Sequence, residues 1–511
     1  VSESYFDGIE KEKGRFVIGK CTDLERLGAA RENPFMTTCG VIATFRAAAE
    51  AASLLHTDPE LRNTWLMLAE KLTESLPQDD RSYSSRNEMF ETIVSFLGDR
   101  AMECIGESFM FRQALLYEKW ARDIRDSQLP DGMIPDLSPT YWPFYSENVT
   151  YPAAYLCVVD MLYNQYGDEK AVREHYPAMK KWIDYANERL VENDIVVKDV
   201  YGDWCMPPES PELIHSQDPA RVTDGRLVGT SFFYRLLNMM ARFAAVAGHE
   251  EDIPAYLEQA ARVKDAYNRM FLNPETGQYA NNTVSAGLLS LVQGLVPDTL
   301  KQKVFDELVR RTEVDFDSHV STGMIGMQFM MRGLSRYGRP DLALTLATNR
   351  TYPSWGYMID RGATTIWELW NGDTADPAMN SGNHLMQLGD LIAWDWENLA
   401  GIQADPAAPG FKHILMKPDF PQGLEWVDAS YESMYGTIGS HWKRTGGGLS
   451  WSVEIPANTT ATLRVPASDV SQVEADGKPL AENPALTDVR ASDGFVTFEA
   501  GSGSYRFLVG K

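Results

Sequence analysis

A chain of 511 residues, 44% of them hydrophobic, is long enough for two or three domains around a large core. Its formal net charge of -25 repels phosphate backbones and sets nucleic acid aside as a partner. Five cysteines (Cys21, Cys39, Cys104, Cys157, Cys205) make no closely spaced framework, no CxxC or HxxxH spacing offers a zinc site, and no apolar run nears the roughly 20 residues of a membrane-spanning helix.

The cysteines therefore read as buried free thiols, and neither a membrane nor a metal is expected. No signal peptide is visible, but the first residue is Val1, so cytoplasmic and exported locations both stay open. Residues 1–34 are polar and mixed. Helical periodicity begins after Pro34, with Val41, Ile42, Phe45, Ala48, Ala49, Ala52 and Leu55 on one face. A second helix follows Asp58 as N-cap and Pro59 as first residue.

From Glu88 to Leu399 the pattern is helix after helix. Expected spans are 108–126, 150–165, 173–190, 229–247, 253–271, 297–311, 323–337, 340–349 and 383–399, punctuated by Gly and Pro. Such a run without strands means a bundle, a solenoid or an α/α toroid, and no fixed-period repeat favours the solenoid. Loops 130–147 and 194–228 are long, aromatic and polar, which marks them as functional. After Gly401 the texture changes. Residues 404–410 read as a linker, and alternating runs at 451–455, 460–465 and 495–498, with turns at Gly446-Gly447-Gly448 and Asp476-Gly477, predict a β-sandwich of about 100 residues.

The most informative stretch runs from Arg361 to His384. Glu368 lies between Trp367 and Trp370, with Asn383 and His384 just downstream. Indole rings offer a flat apolar face and an N–H, which suits a sugar ring, and a carboxylate beside them is set up for proton transfer. A helix start with a capping glutamate is the bland alternative.

In order, the chain also carries Phe96-Leu97-Gly98-Asp99, Lys119-Trp120-Ala121-Arg122-Asp123-Ile124-Arg125-Asp126-Ser127-Gln128, Pro130-Asp131-Gly132-Met133-Ile134-Pro135, Tyr201-Gly202-Asp203-Trp204, Thr364-Thr365-Ile366-Trp367-Glu368 with Asn383-His384, and Pro409-Gly410-Phe411-Lys412-His413-Ile414 leading to Ala429-Ser430-Tyr431-Glu432-Ser433-Met434-Tyr435-Gly436. This ordered set resembles the α-L-rhamnosidases of glycoside hydrolase family 78 over roughly residues 96–511. The resemblance implies a mainly α protein, an (α/α)6 barrel followed by a C-terminal β-sandwich. The segments are then 1–90, a mixed or helical region belonging to the barrel or a lid, 91–403, the catalytic barrel, and 404–511, the sandwich.

It also implies an exo-acting, inverting hydrolase that releases terminal α-L-rhamnose, with no cofactor. Inversion needs a carboxylic acid and a carboxylate base about 6.5–9.5 Å apart. By resemblance Glu368 is the general base, and Asp99, Trp142, Trp204 and His384 bind the sugar; Trp367, with its flat indole face, and Asn383, a hydrogen-bonding neighbour of His384, are added from their own chemistry. The chain departs from the family at the general acid. Counting back from Asp99, the family's glutamate falls on Thr92, which cannot serve as a carboxylic acid. Glu91 is the first substitute and Glu12, in Asp7-Gly8-Ile9-Glu10-Lys11-Glu12-Lys13-Gly14, the second; the latter makes residues 17–90 an insertion. Two other functions stay open beside hydrolysis: a related (α/α)6 polysaccharide lyase or other exo-glycosidase, and a degenerate carbohydrate-binding protein.

Overall fold

The structure, a computed structural model, describes residues 9–12, 15–18, 63, 66–67, 70, 95–139, 144–375 and 384–510. The chain divides into two compact units, residues 1–92 and 93–511. In the first, β1 (Ile9–Glu12) pairs antiparallel with β2 (Arg15–Ile18). The helices expected after Pro34 and Asp58-Pro59 lie almost wholly outside the described residues, although Asn63, Leu66, Met67 and Glu70 are helical.

The second unit opens with helices α1 (Leu97–Met110), α2 (Ala114–Asp126), α3 (Ala153–Tyr166), α4 (Glu169–Arg189), α5 (Gly225–Ala247), α6 (Ile253–Phe271), α7 (Val284–Val292), α8 (Lys301–Arg310), α9 (Met324–Arg336), α10 (Pro340–Thr348), α11 (Trp355–Asp360) and α12 (Gly389–Trp394). Six of them close a ring: α1 packs on α3, α3 on α5, α5 on α7, α7 on α9, α9 on α12 and α12 back on α1. Outside it, α2 and α4 lie against α3, α6 against α5, α8 against α7 and α10 against α9. Composition sorts the two layers. In α3 the side chains of Tyr155, Leu156, Val158, Val159 and Leu162 are wholly buried, so it is apolar around most of its girth. In α2 only Tyr117, Trp120, Ala121 and Ile124 are buried, a single stripe at helical spacing. Caps set the boundaries: Gly167 takes a left-handed φ of 69° after α3, and the Asp168 carboxylate accepts the Ala171 N–H to start α4.

The helix expected over 108–126 is two helices. Phe111 is extended, and its N–H bonds the Glu107 carbonyl as α1 ends. Tyr117 Oη donates back to Glu107 at 2.5 Å, fixing the return of the chain.

The C-terminal region forms one hydrogen-bonded sheet. Its strands are β3 (Ile402–Ala404), β4 (His413–Met416), β5 (Trp426–Ser433), β6 (Gly436–Thr445), β7 (Gly448–Val465), β8 (Val473–Ala475), β9 (Lys478–Pro479), β10 (Leu486–Ser492) and β11 (Phe495–Val509). The main path runs β5-β6-β7-β11-β8-β9; β4 pairs parallel with β7 and antiparallel with β3, and β10 pairs with β11. The runs expected at 451–455 and 460–465 belong to the single strand β7, whose register on β11 shifts between Ile455 and Thr460. Asn458, with φ of 64°, marks that bulge. Asp476 and Gly477 both have positive φ, as a two-residue hairpin turn between β8 and β9 requires.

The linker expected over 404–410 is a docked turn. Gly410 donates its N–H to the Asn164 carbonyl of α3 at 2.9 Å, with φ of 77°, and a Cβ there would stand 2.8 Å from Gly167 N. The sheet and the helices also share a core. Phe109 of α1 stacks on Trp396 at 5.9 Å and meets Tyr431 of β5 edge-on at 5.0 Å.

Candidate active site

The N-terminal ends of the ring helices gather the chemistry. Asp99, the third residue of α1, receives the Tyr151 hydroxyl at 3.4 Å and lies 3.5 Å from His384 Nε2. Asp99 is thus inside the first turn, not the N-cap, and a carboxylate there meets the positive end of the helix. His384 is buried, and its backbone N–H bonds the Ile366 carbonyl at 2.7 Å, which ties it to the segment carrying Glu368.

Glu103 and Glu107 follow Asp99 at four-residue spacing on the same helix face. Burial first, and the neighbouring Glu107 carboxylate second, push the Glu103 carboxyl well above its usual range, while Arg100 and His384 pull it down. Arg100 pairs with Glu107 at 3.1 Å.

From Tyr151 the site continues through stacked rings. Tyr151 lies 4.1 Å from Tyr201, whose hydroxyl bonds Asp136 at 3.2 Å. Tyr201 is edge-on to Trp204 at 6.5 Å, and Trp204 lies 5.1 Å from His215. Tyr201, Trp204, Cys205 and His215 line a cavity of about 310 Å³ before α5, within the size range of small-ligand sites.

Asp203 holds this wall in place. It is 3% exposed and accepts the N–H groups of Gly323 at 2.9 Å and Gly326 at 3.0 Å, together with the Ser285 hydroxyl. Burial raises its carboxyl, and these donors oppose that rise. The Trp204 carbonyl accepts Met324 N–H at 2.8 Å. A Cβ at Gly323 would come within 2.4 Å of that carbonyl, so the approach demands glycine. The pinned loop then turns at Cys205, in the left-handed region with φ of 55°, and its Sγ reaches Glu368 Oε1 at 4.0 Å.

Glu368 is 3% exposed and sits in irregular chain between α11 and His384, so there is no helix start for it to cap. Its backbone carbonyl accepts Gln387 Nε2. Trp367 is half-buried. Trp370 is a core residue, 2% exposed and edge-on to Trp355 at 5.4 Å, which removes it from any sugar-facing wall. The structure thus joins Asp99 with His384, and Glu368 with the Trp204–Cys205 wall. Trp142, Asn383, Glu91 and Thr92 lie outside the described residues, and Glu12 ends β1 opposite Arg15 in the other unit. Sequence reasoning missed Tyr151, Cys205 and His215. Tyr151 and Cys205 reach their partners only across distant segments, and no local signal marks them.

A helical ring with carboxylates and aromatic rings at one end, joined to a sheet domain, is a scaffold suited to an enzyme that acts on sugars. The bacterial alpha-L-rhamnosidase six-hairpin glycosidase domain matches residues 91–399, and the bacterial alpha-L-rhamnosidase C-terminal domain matches residues 401–478. The chain belongs to this α-L-rhamnosidase family, glycoside hydrolase family 78. An alpha-L-rhamnosidase of Streptomyces avermitilis is 31% identical over 422 residues, covering 81% of this chain and 38% of that protein. A crystal structure of a Streptomyces avermitilis alpha-L-rhamnosidase complexed with L-rhamnose superposes with a TM-score of 0.72 at 30% identity, over 81% of this chain and 38% of that one. The alpha-L-rhamnosidase of Dictyoglumus thermophilum superposes with a TM-score of 0.74 at 29% identity, over 81% of this chain and 46% of that one. The chain therefore spans less than half the length of these relatives.

Proposed function

We propose that the chain is an exo-acting glycoside hydrolase that releases terminal α-L-rhamnose with inversion, and that Glu368 is its general base. The observation that carries this is the burial of Glu368 beside the Cys205 end of an aromatic-walled cavity. A buried carboxylate in that setting takes a proton from a water attacking the anomeric carbon. Asp99 and His384 bind the sugar hydroxyls, Trp204 and Trp367 pack on its apolar face, and Trp142 and Asn383 are further candidates for binding the sugar. The candidates for the general acid, whose role is to protonate the leaving oxygen, are Glu91 and, as the alternative, Glu12. The ring with its outer helices is read as an (α/α)6 barrel over 91–403, and the strands of 404–511 as a sandwich bent from one sheet at the β7 bulge.

The test is hydrolysis of an aryl α-L-rhamnoside followed by NMR. Wild type releases β-L-rhamnose first. Glu368→Gln lowers kcat by about three orders of magnitude or more with KM little changed, the signature of a group acting in the transition state. Comparable turnover in Glu368→Gln removes the assignment, and absence of rhamnoside hydrolysis by wild type removes the function. Glu91→Gln and Glu12→Gln, rescued or not by an aryl leaving group that needs no protonation, separate the two acids.

A further inference from the structure

A second cavity, of about 480 Å³, lies between the middle of α5, the later parts of α7 and α9 and the sheet domain. Five cations line it, Arg235, Arg332, Arg336, Lys417 and Arg464, against two carboxylates, Glu397 and Asp419. Arg332 is already committed to Asp390 at 2.5 Å and Glu397 at 3.2 Å. Asp419 accepts from Asn398 at 2.9 Å. The other four cations make no ion pair among the described residues. Arg235 Nη1 and Gln293 Nε2, both on this wall, are buried without a hydrogen-bond partner among those residues. Two guanidinium groups are held by rings: Arg464 stands 3.6 Å over Phe495 and Arg235 5.3 Å over Phe329. Stacking fixes the plane of each group and leaves its N–H edge free to donate.

We propose that this cavity binds a phosphate-type oxyanion, either free or carried on a small molecule. Convergent guanidinium and ammonium donors match the geometry of tetrahedral oxyanions, and buried donors without acceptors are costly unless a ligand satisfies them. Burial first, and Arg464 second, push the Lys417 ammonium down, and Asp419 and Glu397 only partly oppose this, as expected where cations outnumber carboxylates. The negative ends of the ring helices account for Arg336, which sits in the last turn of α9. They do not account for Arg235, which sits mid-helix in α5.

The experiment uses the whole chain. Calorimetry and thermal denaturation are run with inorganic phosphate and with glucose 6-phosphate, each against chloride at equal ionic strength. Phosphate raises Tm where chloride does not, and Lys417→Met and Arg336→Met, both exposed and safe for folding, each weaken phosphate binding by about tenfold. Rhamnoside hydrolysis by these variants stays at the wild-type level. Tighter binding of glucose 6-phosphate than of inorganic phosphate supports a carried phosphate, and equal binding supports the free ion. Equal Tm responses to phosphate and chloride, or unchanged phosphate affinity in both variants, overturn the proposal and leave the cations as partners of helix ends.

Discussion

Asp203→Ala tests the mechanical basis of the candidate site. The native carboxylate satisfies Gly323 N–H and Gly326 N–H at the start of α9, and Ser285 besides. Alanine leaves two backbone donors buried, at about 1–3 kcal/mol each, so the loss is about 2–6 kcal/mol. That is a large share of the roughly 5–15 kcal/mol by which a domain is stable. Asn keeps one acceptor oxygen and turns an amide N–H₂ toward the donors, so its cost is roughly half. Urea denaturation with unchanged slope measures the loss, and hydrolysis of an aryl α-L-rhamnoside measures the site. Because Asp203 holds the loop that carries Trp204 and Cys205, turnover falls in Asp203→Asn under conditions where that variant is still folded. A loss below about 1 kcal/mol in Asp203→Ala, with wild-type kcat, refutes the argument.

Asp395 is a half-buried residue whose carboxyl is raised to about 7 by desolvation alone. A group raised in the folded state supports folding while protonated; its contribution is full below about pH 4 and lost as pH rises through 7. Asp395→Asn therefore stabilises the fold by about 2–4 kcal/mol at pH 8 and changes it little at pH 4, read by denaturation at both values. Gly410→Ala, with φ of 77° and Gly167 N in the way, costs at least about 2 kcal/mol in the same assay. His384→Ala, which removes one of the two side chains that meet Asp99, lowers kcat/KM for an aryl rhamnoside by about 10–100-fold, mostly through KM.

Much of the helical layer was legible because burial writes itself into periodicity. The apolar girth of α3 and the single stripe of α2 follow directly from their residues. The turn at 111–113 was not, because Phe111 and Leu115 are apolar and continue the pattern although both are exposed. Their exposure is a tertiary outcome that no local window contains. In the site, the Arg361–His384 stretch drew attention to Glu368, yet two tryptophans flank it and only packing shows that Trp370 belongs to the core. The Cys205–Glu368 contact spans 163 residues of chain, and the Tyr151–Asp99 contact 52. Such pairs are set by ring closure, which local sequence does not encode. The docked turn at 404–410 was hidden for the same reason: Pro, Gly and Ala look like a tether until Asn164 is found beneath them.

That docking bears on how this polypeptide can be cut and rearranged. Severing it before β3 would strip Phe109 of Phe411 and Tyr431 and leave both halves with an oily scar, so neither half is a free-standing building block. Grafting the strands onto a foreign scaffold would succeed only if α1 and α3, the first two helices of the ring, travelled with them.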